Sequence, residues 1–284
     1  LNRAGTIEPL EIPLRAYEDA FLSPDGKRVA MTLSGAYWGI SIYDLTNGTQ
    51  RLLTSTTESS QWPVWTADGK RVIYRQTHEG RRNLFWRNVD GSGEEERLTT
   101  SDHMQTANSV SPDGRWLAFQ EIDPVSADDI WILPLDKKGA PRPFVKTTAD
   151  EIGAVFSPDG AWLAYYSSES GQYQVYIQAF PGPGARTVVS PRGGRMPRWS
   201  ADGRELFYLE GNQIVAVNVT PGSSISTGSP HVVATKSDAD APNGYDVGRD
   251  GRFLIVRPVQ SEDVFRQINV VINWFDELKR LAAK

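Results

Sequence analysis

The chain of 284 residues is 39% hydrophobic and has a formal net charge of −5. This apolar content is ample for a packed core, and the acidic balance argues against nucleic-acid binding, which normally needs a basic patch. The absence of cysteine excludes disulfides, thiolate catalysis and Cys-ligated zinc together. No apolar stretch approaches the roughly 18 residues that span a bilayer, so we expect no insertion into a membrane. We also expect the protein to be a monomer.

The first predicted element is a strand near the N-terminus. The chain begins Leu1-Asn2-Arg3 without an initiator Met or a recognisable signal peptide, so we expect a mature form or a fragment of a longer protein whose targeting signal lies outside this sequence. Residues 6–12 (TIEPLEI) have strand-like composition. No partner strand follows directly, so we expect this segment to pair with an element from the far end of the chain.

A short turn motif then recurs six times along the chain. Successive copies begin 43 to 48 residues apart. That spacing fits one four-stranded propeller blade per repeat. The copies are Ser23-Pro24-Asp25-Gly26, Thr66-Ala67-Asp68-Gly69, Ser111-Pro112-Asp113-Gly114, Ser157-Pro158-Asp159-Gly160, Ser200-Ala201-Asp202-Gly203 and Gly248-Arg249-Asp250-Gly251.

Each copy has the composition of a tight hairpin turn. Pro presets φ at the second position, Asp bonds nearby backbone donors, and Gly takes the left-handed conformation that closes the turn. A short apolar strand follows every turn, as in Val29-Ala30-Met31 and Leu117-Ala118-Phe119. Residues apolar on both faces indicate buried central strands.

These elements predict an all-β fold: a single six-bladed β-propeller of four-stranded blades spanning residues 1–284. The blades are expected to start near residues 16, 59, 104, 150, 194 and 242. The sixth repeat is short of one strand, and residues 6–12 are expected to supply it. Closing the ring in this way would remove open sheet edges.

The last predicted element is a short C-terminal helix over residues 273–283. Asn273 is suited to cap the helix, and Trp274, Leu278 and Leu281 form a stripe with i, i+4, i+7 spacing. We expect this stripe to pack against the propeller; the alternative is a helix that binds a partner.

The repeat Ser-Pro-Asp-Gly-Lys/Arg-x-Val/Leu-Ala resembles the TolB-like, WD-like propeller repeat. Segments such as Trp62-Pro63-Val64-Trp65 and Asp129-Ile130-Trp131-Ile132-Leu133-Pro134, and the ending from Asn273 to Leu281, are similar to the C-terminal propeller domain of bacterial transmembrane serine/threonine kinases. The resemblance implies a bacterial ligand- or protein-binding module in an extracytoplasmic location. No kinase motif and no Gly-x-Ser-x-Gly nucleophile motif are present.

Candidate binding residues lie where the chain enters each innermost strand. These entries surround the mouth of a propeller channel, opposite the tight turns. The resulting set is mixed in charge and suits a peptide, a protein or a small polar ligand: Glu18, Gln61, Gln105, Glu151, Arg195 and Tyr245. Arg195 and Glu151 alternatively pair with each other. Acidic residues outnumber basic ones in these loops, which favours cations or basic partners.

A metal site is a weaker candidate on the same face. Imidazole and carboxylate groups bind divalent ions such as Ca²⁺, Zn²⁺ or Mn²⁺. The candidate ligands are His78, His103, Glu18, Glu151 and Asp246; the alternative is that both histidines are ordinary solvated loop residues.

Two functional hypotheses follow. The first is a non-enzymatic sensor or scaffold that binds its ligand or protein partner at the acidic loop face. The second is a metal-dependent hydrolase of esters, lactones or phosphotriesters with an ion in the central channel, by analogy of fold alone.

Overall fold

The computed structural model describes residues 1–257, apart from residues 14, 36–37, 55–56, 125–126, 137, 183, 221, 223 and 237–244. The described residues contain strands and turns and no helix. The predicted helix at 273–283 lies outside the described residues, as do residues 258–272.

The first four repeats each fold into a four-stranded antiparallel sheet. Blade 1 comprises β1 (Tyr17–Leu22), β2 (Arg28–Leu33), β3 (Gly39–Asp44) and β4 (Thr49–Leu52). Blade 2 comprises β5 (Ser60–Trp65), β6 (Arg71–His78), β7 (Arg81–Asn88) and β8 (Glu96–Arg97). Blade 3 comprises β9 (Met104–Val110), β10 (Trp116–Asp123), β11 (Ala127–Pro134) and β12 (Arg142–Val145). Blade 4 comprises β13 (Glu151–Phe156), β14 (Trp162–Ser167), β15 (Gln174–Ala179) and β16 (Arg186–Val188).

The fifth repeat adds a short extra strand, and the sixth contributes a hairpin. Blade 5 comprises β17 (Arg195–Trp199), β18 (Glu205–Glu210), β19 (Gln213–Thr220), β20 (Ser226–Thr227) and β21 (His231–Thr235). Both β20 and β21 pair with β19. The sixth copy of the turn joins β22 (Tyr245–Val247) to β23 (Phe253–Ile255) in a two-stranded sheet. Among the described residues the protein is thus a β-propeller with five complete blades and this hairpin, so the prediction of six four-stranded blades is not confirmed.

The repeated turns have the geometry that their composition predicts. In the first copy, Ser23 Oγ donates to Asp25 Oδ1 at 2.5 Å and accepts from Arg28 N at 2.9 Å. Gly26 donates its N–H to the Ser23 carbonyl at 2.8 Å with φ of +72°. The final copy keeps the Gly251-to-Gly248 backbone bond at 3.0 Å although Ser and Pro are absent. Asp250, whose Oδ1 accepts from Arg252 N at 3.1 Å, and the closing glycine are therefore enough to form the turn without Ser or Pro.

The core lies between the blades, as the apolar strands after each turn predict. Central-strand residues such as Val29, Val72, Leu117 and Leu163 are completely buried. Tryptophan side chains link consecutive blades, since Trp65 Nε1 donates to the Phe21 carbonyl at 3.0 Å. Trp199 Nε1 likewise donates to the Val155 carbonyl at 3.2 Å. Each indole thus buries a large apolar surface and satisfies its polar N–H in the neighbouring blade.

The N-terminal prediction is wrong in detail. Residues 6–12 form no strand. The contact with the last hairpin is made instead by Leu1, whose amino group donates to the Phe253 carbonyl at 2.9 Å and whose carbonyl accepts from Phe253 N at 2.8 Å. Pro9 lacks an N–H and Ile12 N bonds back to the Leu10 carbonyl at 2.8 Å, so this segment bends locally and does not extend along an edge.

Candidate functional site

Strand direction divides the propeller into two faces. Each first strand runs into a tight turn and each second strand runs back, so the first-strand starts and second-strand ends lie opposite the tight turns. We call this side the loop face. Loops on a rigid scaffold are where binding residues usually occur.

Three of the six predicted ligand-binding residues are buried. Gln105 is 3% exposed, and Glu151 and Tyr245 are completely buried. The Tyr245 hydroxyl donates to the Met196 carbonyl at 2.8 Å, so it joins the last hairpin to blade 5. Gln105 Nε2 donates to Glu121 Oε2 at 2.6 Å, and Gln105 Oε1 accepts from Thr99 Oγ1 and Asn83 Nδ2. These groups hold blades together and are not open to a ligand.

The other three predicted residues reach the surface in different settings. Glu18 is exposed at a register shift in β1, between Tyr17 and Asp19. Gln61 is half-buried, and its Oε1 accepts from Arg75 Nη2. Arg195 is exposed and does not pair with Glu151; its guanidinium lies 4.2 Å from the centre of the Tyr173 ring.

Arg195 belongs to a mixed cluster on the loop face of blades 3, 4 and 5. The Tyr173 hydroxyl donates to Asp150 Oδ2 at 2.8 Å, and the Tyr166 ring contacts the Tyr173 ring edge-on at 5.4 Å. Asp128, at the start of β11, is half-buried, and Gln120 Nε2 approaches its Oδ1 at 3.4 Å. The cluster therefore combines two carboxylates, two aromatic rings and one cation, and we call it the blade 3–5 cluster.

The blade 3–5 cluster has an excess of negative charge at its acidic end. Burial, followed by the negative charges of Asp150 and Asp129, raises the pKa of Asp128 to about 6. Lys146 Nζ lies 3.1 Å from Asp123 and 3.0 Å from Asp129, so this nearby cation is already engaged. A basic group arriving from outside would relieve the repulsion between Asp128 and Asp150.

Glu151 lies inside the protein beside this cluster. Its Oε1 accepts from Thr147 Oγ1 at 2.8 Å and from Ser167 Oγ at 3.1 Å. Burial raises the pKa of the Glu151 carboxyl above its usual range, although both hydroxyl donors act in the opposite direction. Its role is in packing between strands and not in direct contact with solvent.

The structure does not bring the five predicted metal ligands together. His78 Nδ1 lies 2.8 Å from Glu58 Oε1, whereas His103 Nδ1 lies 3.6 Å from Glu121 Oε1 in the next blade. Asp246 accepts from Leu22 N at 2.8 Å and faces Arg198 Nε at 3.7 Å, so it connects the last hairpin to blades 1 and 5. Among the described residues, no three His, Asp or Glu side chains are placed to bind one ion.

Sequence reasoning missed Asp128, Asp150 and Tyr173 as members of one cluster. Their positions do contain a signal, because each lies at or just before a strand start on the loop face. The choice between Asp150 and Glu151 could not be made from composition, since both are acidic and adjacent. Only the strand register shows that Glu151 faces inward opposite Ser167.

No protein-family model matches the chain. Among curated proteins, it is 28% identical over 208 residues to the uncharacterized protein Atu1656 of Agrobacterium fabrum, covering 67% of this chain and 69% of that protein. It is 30% identical over 203 residues to the uncharacterized peptidase YuxL of Bacillus subtilis, covering 66% of this chain. The match spans only 28% of the length of YuxL.

Solved structures show the same architecture at low identity. A TolB-type protein from Agrobacterium tumefaciens aligns with a TM-score of 0.67 and 18% identity, covering 86% of this chain and 91% of that one. TolB from Acinetobacter baumannii aligns with a TM-score of 0.61 and 19% identity, covering 78% and 58%. A chain of the nidogen/laminin complex aligns with a TM-score of 0.59 and 14% identity, covering 72% and 77%.

The repeated turns, the blade order and the separate loop face define a β-propeller. The structural neighbours specify its type further: the fold is TolB-like. Within the described residues, no helix is long and apolar enough to cross a membrane.

Proposed function

We propose that this propeller is a recognition module that binds a protein or peptide at its loop face, through basic side chains of the partner. The observation that carries the proposal is the blade 3–5 cluster. Asp128 and Asp150 are half-buried neighbours of like charge, and Tyr173 and Arg195 lie beside them. The nidogen/laminin chain, a propeller neighbour, is itself part of a protein complex by its description.

The physical argument begins with the two carboxylates. Bringing like charges together in a partly desolvated site costs free energy, which a Lys or Arg side chain from a partner would recover. Tyr173 and Tyr166 supply rigid apolar surface next to these charges, and aromatic rings commonly anchor protein interfaces. Arg195 adds a donor for the partner's backbone carbonyls or carboxylates.

We further propose that the complete ring has six blades and acts outside the cytoplasm. The hairpin of β22 and β23 contacts β1 on one side and β17 on the other, as the first two strands of a sixth blade would. The resemblance of segments such as residues 62–65 and 129–134 to receptor-kinase propellers supports the proposed extracytoplasmic location. The alternative of a hydrolase with an ion in the channel is less well supported, because no three His, Asp or Glu side chains converge on one point in the described part of the chain.

A random peptide library displayed on phage and panned against the immobilised protein tests the binding proposal. We expect the selected peptides to be enriched in Lys or Arg. By fluorescence anisotropy, Asp128→Asn and Asp150→Asn should each weaken peptide binding about tenfold, which is about 1.4 kcal/mol for one lost charge contact.

Asp136→Asn is the matched control, because Asp136 is an exposed acid that follows β11 on the tight-turn face. This variant should bind the selected peptides as the wild type does. The proposal is refuted by peptides whose affinity is unchanged in both loop-face variants, or by loss of binding in Asp136→Asn.

A further inference from the structure

A second polar cluster lies on the loop face of blade 2, apart from the blade 3–5 cluster. Gln76 Nε2 donates to Glu58 Oε2, and His78 Nδ1 lies 2.8 Å from Glu58 Oε1. Ser60 is the cross-strand partner of Gln76 in the register of β5 and β6. We call these four residues the blade 2 cluster: Glu58, Ser60, Gln76 and His78.

Two oxygen atoms of the blade 2 cluster are buried without a hydrogen-bond partner among the described residues. They are Ser60 Oγ and Gln76 Oε1, on side chains that are 1% and 2% exposed. An unsatisfied buried polar atom costs about 1–3 kcal/mol, so two such atoms on opposing strands need an explanation. The side chains of Glu58 and His78 are 34% and 41% exposed, so the blade 2 cluster extends from these buried atoms to the surface.

We propose that the blade 2 cluster binds one divalent transition-metal ion, with His78, Glu58, Gln76 and Ser60 as its protein ligands. Imidazole nitrogen and carboxylate oxygen are the ligands that Zn²⁺ and Mn²⁺ accept in proteins, and amide and hydroxyl oxygens complete such sets. Unlike an organic amine, a metal ion brings no apolar chain that would have to be buried among these polar groups.

The geometry needs little change to accept an ion. Two ligands about 2.1 Å from one metal are about 3 Å apart at the right angle of octahedral Mn²⁺ and about 3.4 Å apart at the tetrahedral angle of Zn²⁺, so the 2.8 Å between His78 Nδ1 and Glu58 Oε1 would have to widen, least for Mn²⁺. A half-turn of the Gln76 amide would bring its oxygen beside Glu58 and would move its NH2 group to the buried position where the oxygen now lacks a donor. A cation between the two oxygens would then replace the present hydrogen bond.

Neighbouring positive charge does not oppose this site. Arg81 is the cross-strand partner of His78, but its Nη2 lies 2.8 Å from Asp102 Oδ1. Arg75 and Arg82 both direct a guanidinium nitrogen to Met104 Sδ, on the blade 3 side. The ion would join the segment before β5 to the end of β6 and so order this part of the loop face.

The test is isothermal titration of chelator-treated, dialysed protein with ZnCl₂ and, separately, with MnCl₂. We expect one ion per chain, with affinity reduced at least tenfold in Glu58→Gln and in His78→Ala. The matched controls are Glu121→Gln and His103→Ala, which alter the corresponding side chains of blade 3 and should bind as the wild type does. No binding to the wild type, or equal losses in the controls, would overturn the proposal.

A measurement on the wild type guards against misfolded variants. The chain has three histidines, so their imidazole proton resonances are readily separated by NMR. Substoichiometric Mn²⁺ should broaden the His78 signals before those of His103 and His231. Uniform broadening of all three would show adventitious surface binding and would also overturn the proposal. Peptide binding at the blade 3–5 cluster is measured separately, so the two proposals can fail independently.

Discussion

Blades 2 and 3 each bring a glutamate, a histidine and a glutamine together on the loop face, but they do so in different ways. In blade 2, Glu58 precedes the first strand and bonds Gln76 and His78 of the second strand. In blade 3, Glu121 of the second strand bonds Gln105 of the first strand and faces His103. The same three side-chain types are thus assembled with the strand positions exchanged.

The difference between the two clusters lies in the amide oxygen. Gln105 Oε1 accepts from Thr99 and Asn83, so the blade 3 cluster is saturated by protein donors. Gln76 Oε1 has no such donor among the described residues, and neither has Ser60 Oγ. In blade 3, neighbouring residues complete the hydrogen bonds, so the cluster stabilises the fold. In blade 2 they do not, so the cluster can bind a ligand.

The largest expected effect is a pH dependence of the free energy of unfolding that comes from Asp19. Variants of the two clusters must therefore be compared at the same pH. Asp19 is 2% exposed, and burial raises its pKa to about 7 despite hydrogen bonds from Thr32. A carboxyl whose folded pKa is raised stabilises the fold fully below its unfolded pKa near 4, and this stability is lost as pH rises towards 7.

We therefore expect the free energy of unfolding to fall between pH 4 and pH 7 by up to roughly 4 kcal/mol, at about 1.4 kcal/mol per pKa unit. Asp19→Asn keeps an acceptor for Thr32 N and should flatten this part of the profile. Urea unfolding across this pH range measures it. An Asp19→Asn profile that keeps the wild-type slope would assign the pH dependence to other carboxyls.

The next largest effect is the difference in stability lost when each of the two glutamines is replaced. Gln105→Ala removes the partner of Thr99, Asn83 and Glu121, and we expect it to cost about 3 kcal/mol because buried groups are left unpaired. Gln76→Ala also removes an unsatisfied buried oxygen, so we expect it to cost about 1 kcal/mol or less in chelator-treated protein. Urea unfolding of both variants at one pH measures the difference, and equal costs would contradict the contrast between a saturated and an unsaturated cluster.

The sequence was sufficient to predict a β-propeller of four-stranded blades, because each blade repeats one turn whose Asp and Gly residues favour a tight hairpin. It did not predict how the ring ends, since the described residues form five complete blades and a hairpin, and residues 6–12 form no strand. The loop face was harder to predict, since strand alternation places adjacent acids on opposite sides. Asp150 faces Tyr173 while Glu151 is buried, and the register shift in β1 exposes Glu18 while Asp19 is buried. A displacement of one residue reverses every such assignment, and a bulge introduces that displacement without a clear sequence signal.

The smallest expected effect is the difference in stability between variants that lack the Thr99 hydroxyl of blade 3 and variants that lack the Ser60 hydroxyl of blade 2. Thr99 Oγ1 donates to Gln105 and accepts from Leu84 N at 3.1 Å, so Thr99→Val should cost about 1–2 kcal/mol. Ser60→Ala removes a buried hydroxyl that has no described partner, so it should leave chelator-treated protein as stable as the wild type or stabilise it by about 1 kcal/mol. The same Ser60→Ala protein should bind Zn²⁺ more weakly than the wild type, because it has lost one proposed ligand. Weaker metal binding without any loss of apo stability would distinguish a ligand from a structural hydroxyl, since loss of a structural hydroxyl would destabilise the fold and leave the titration as it was.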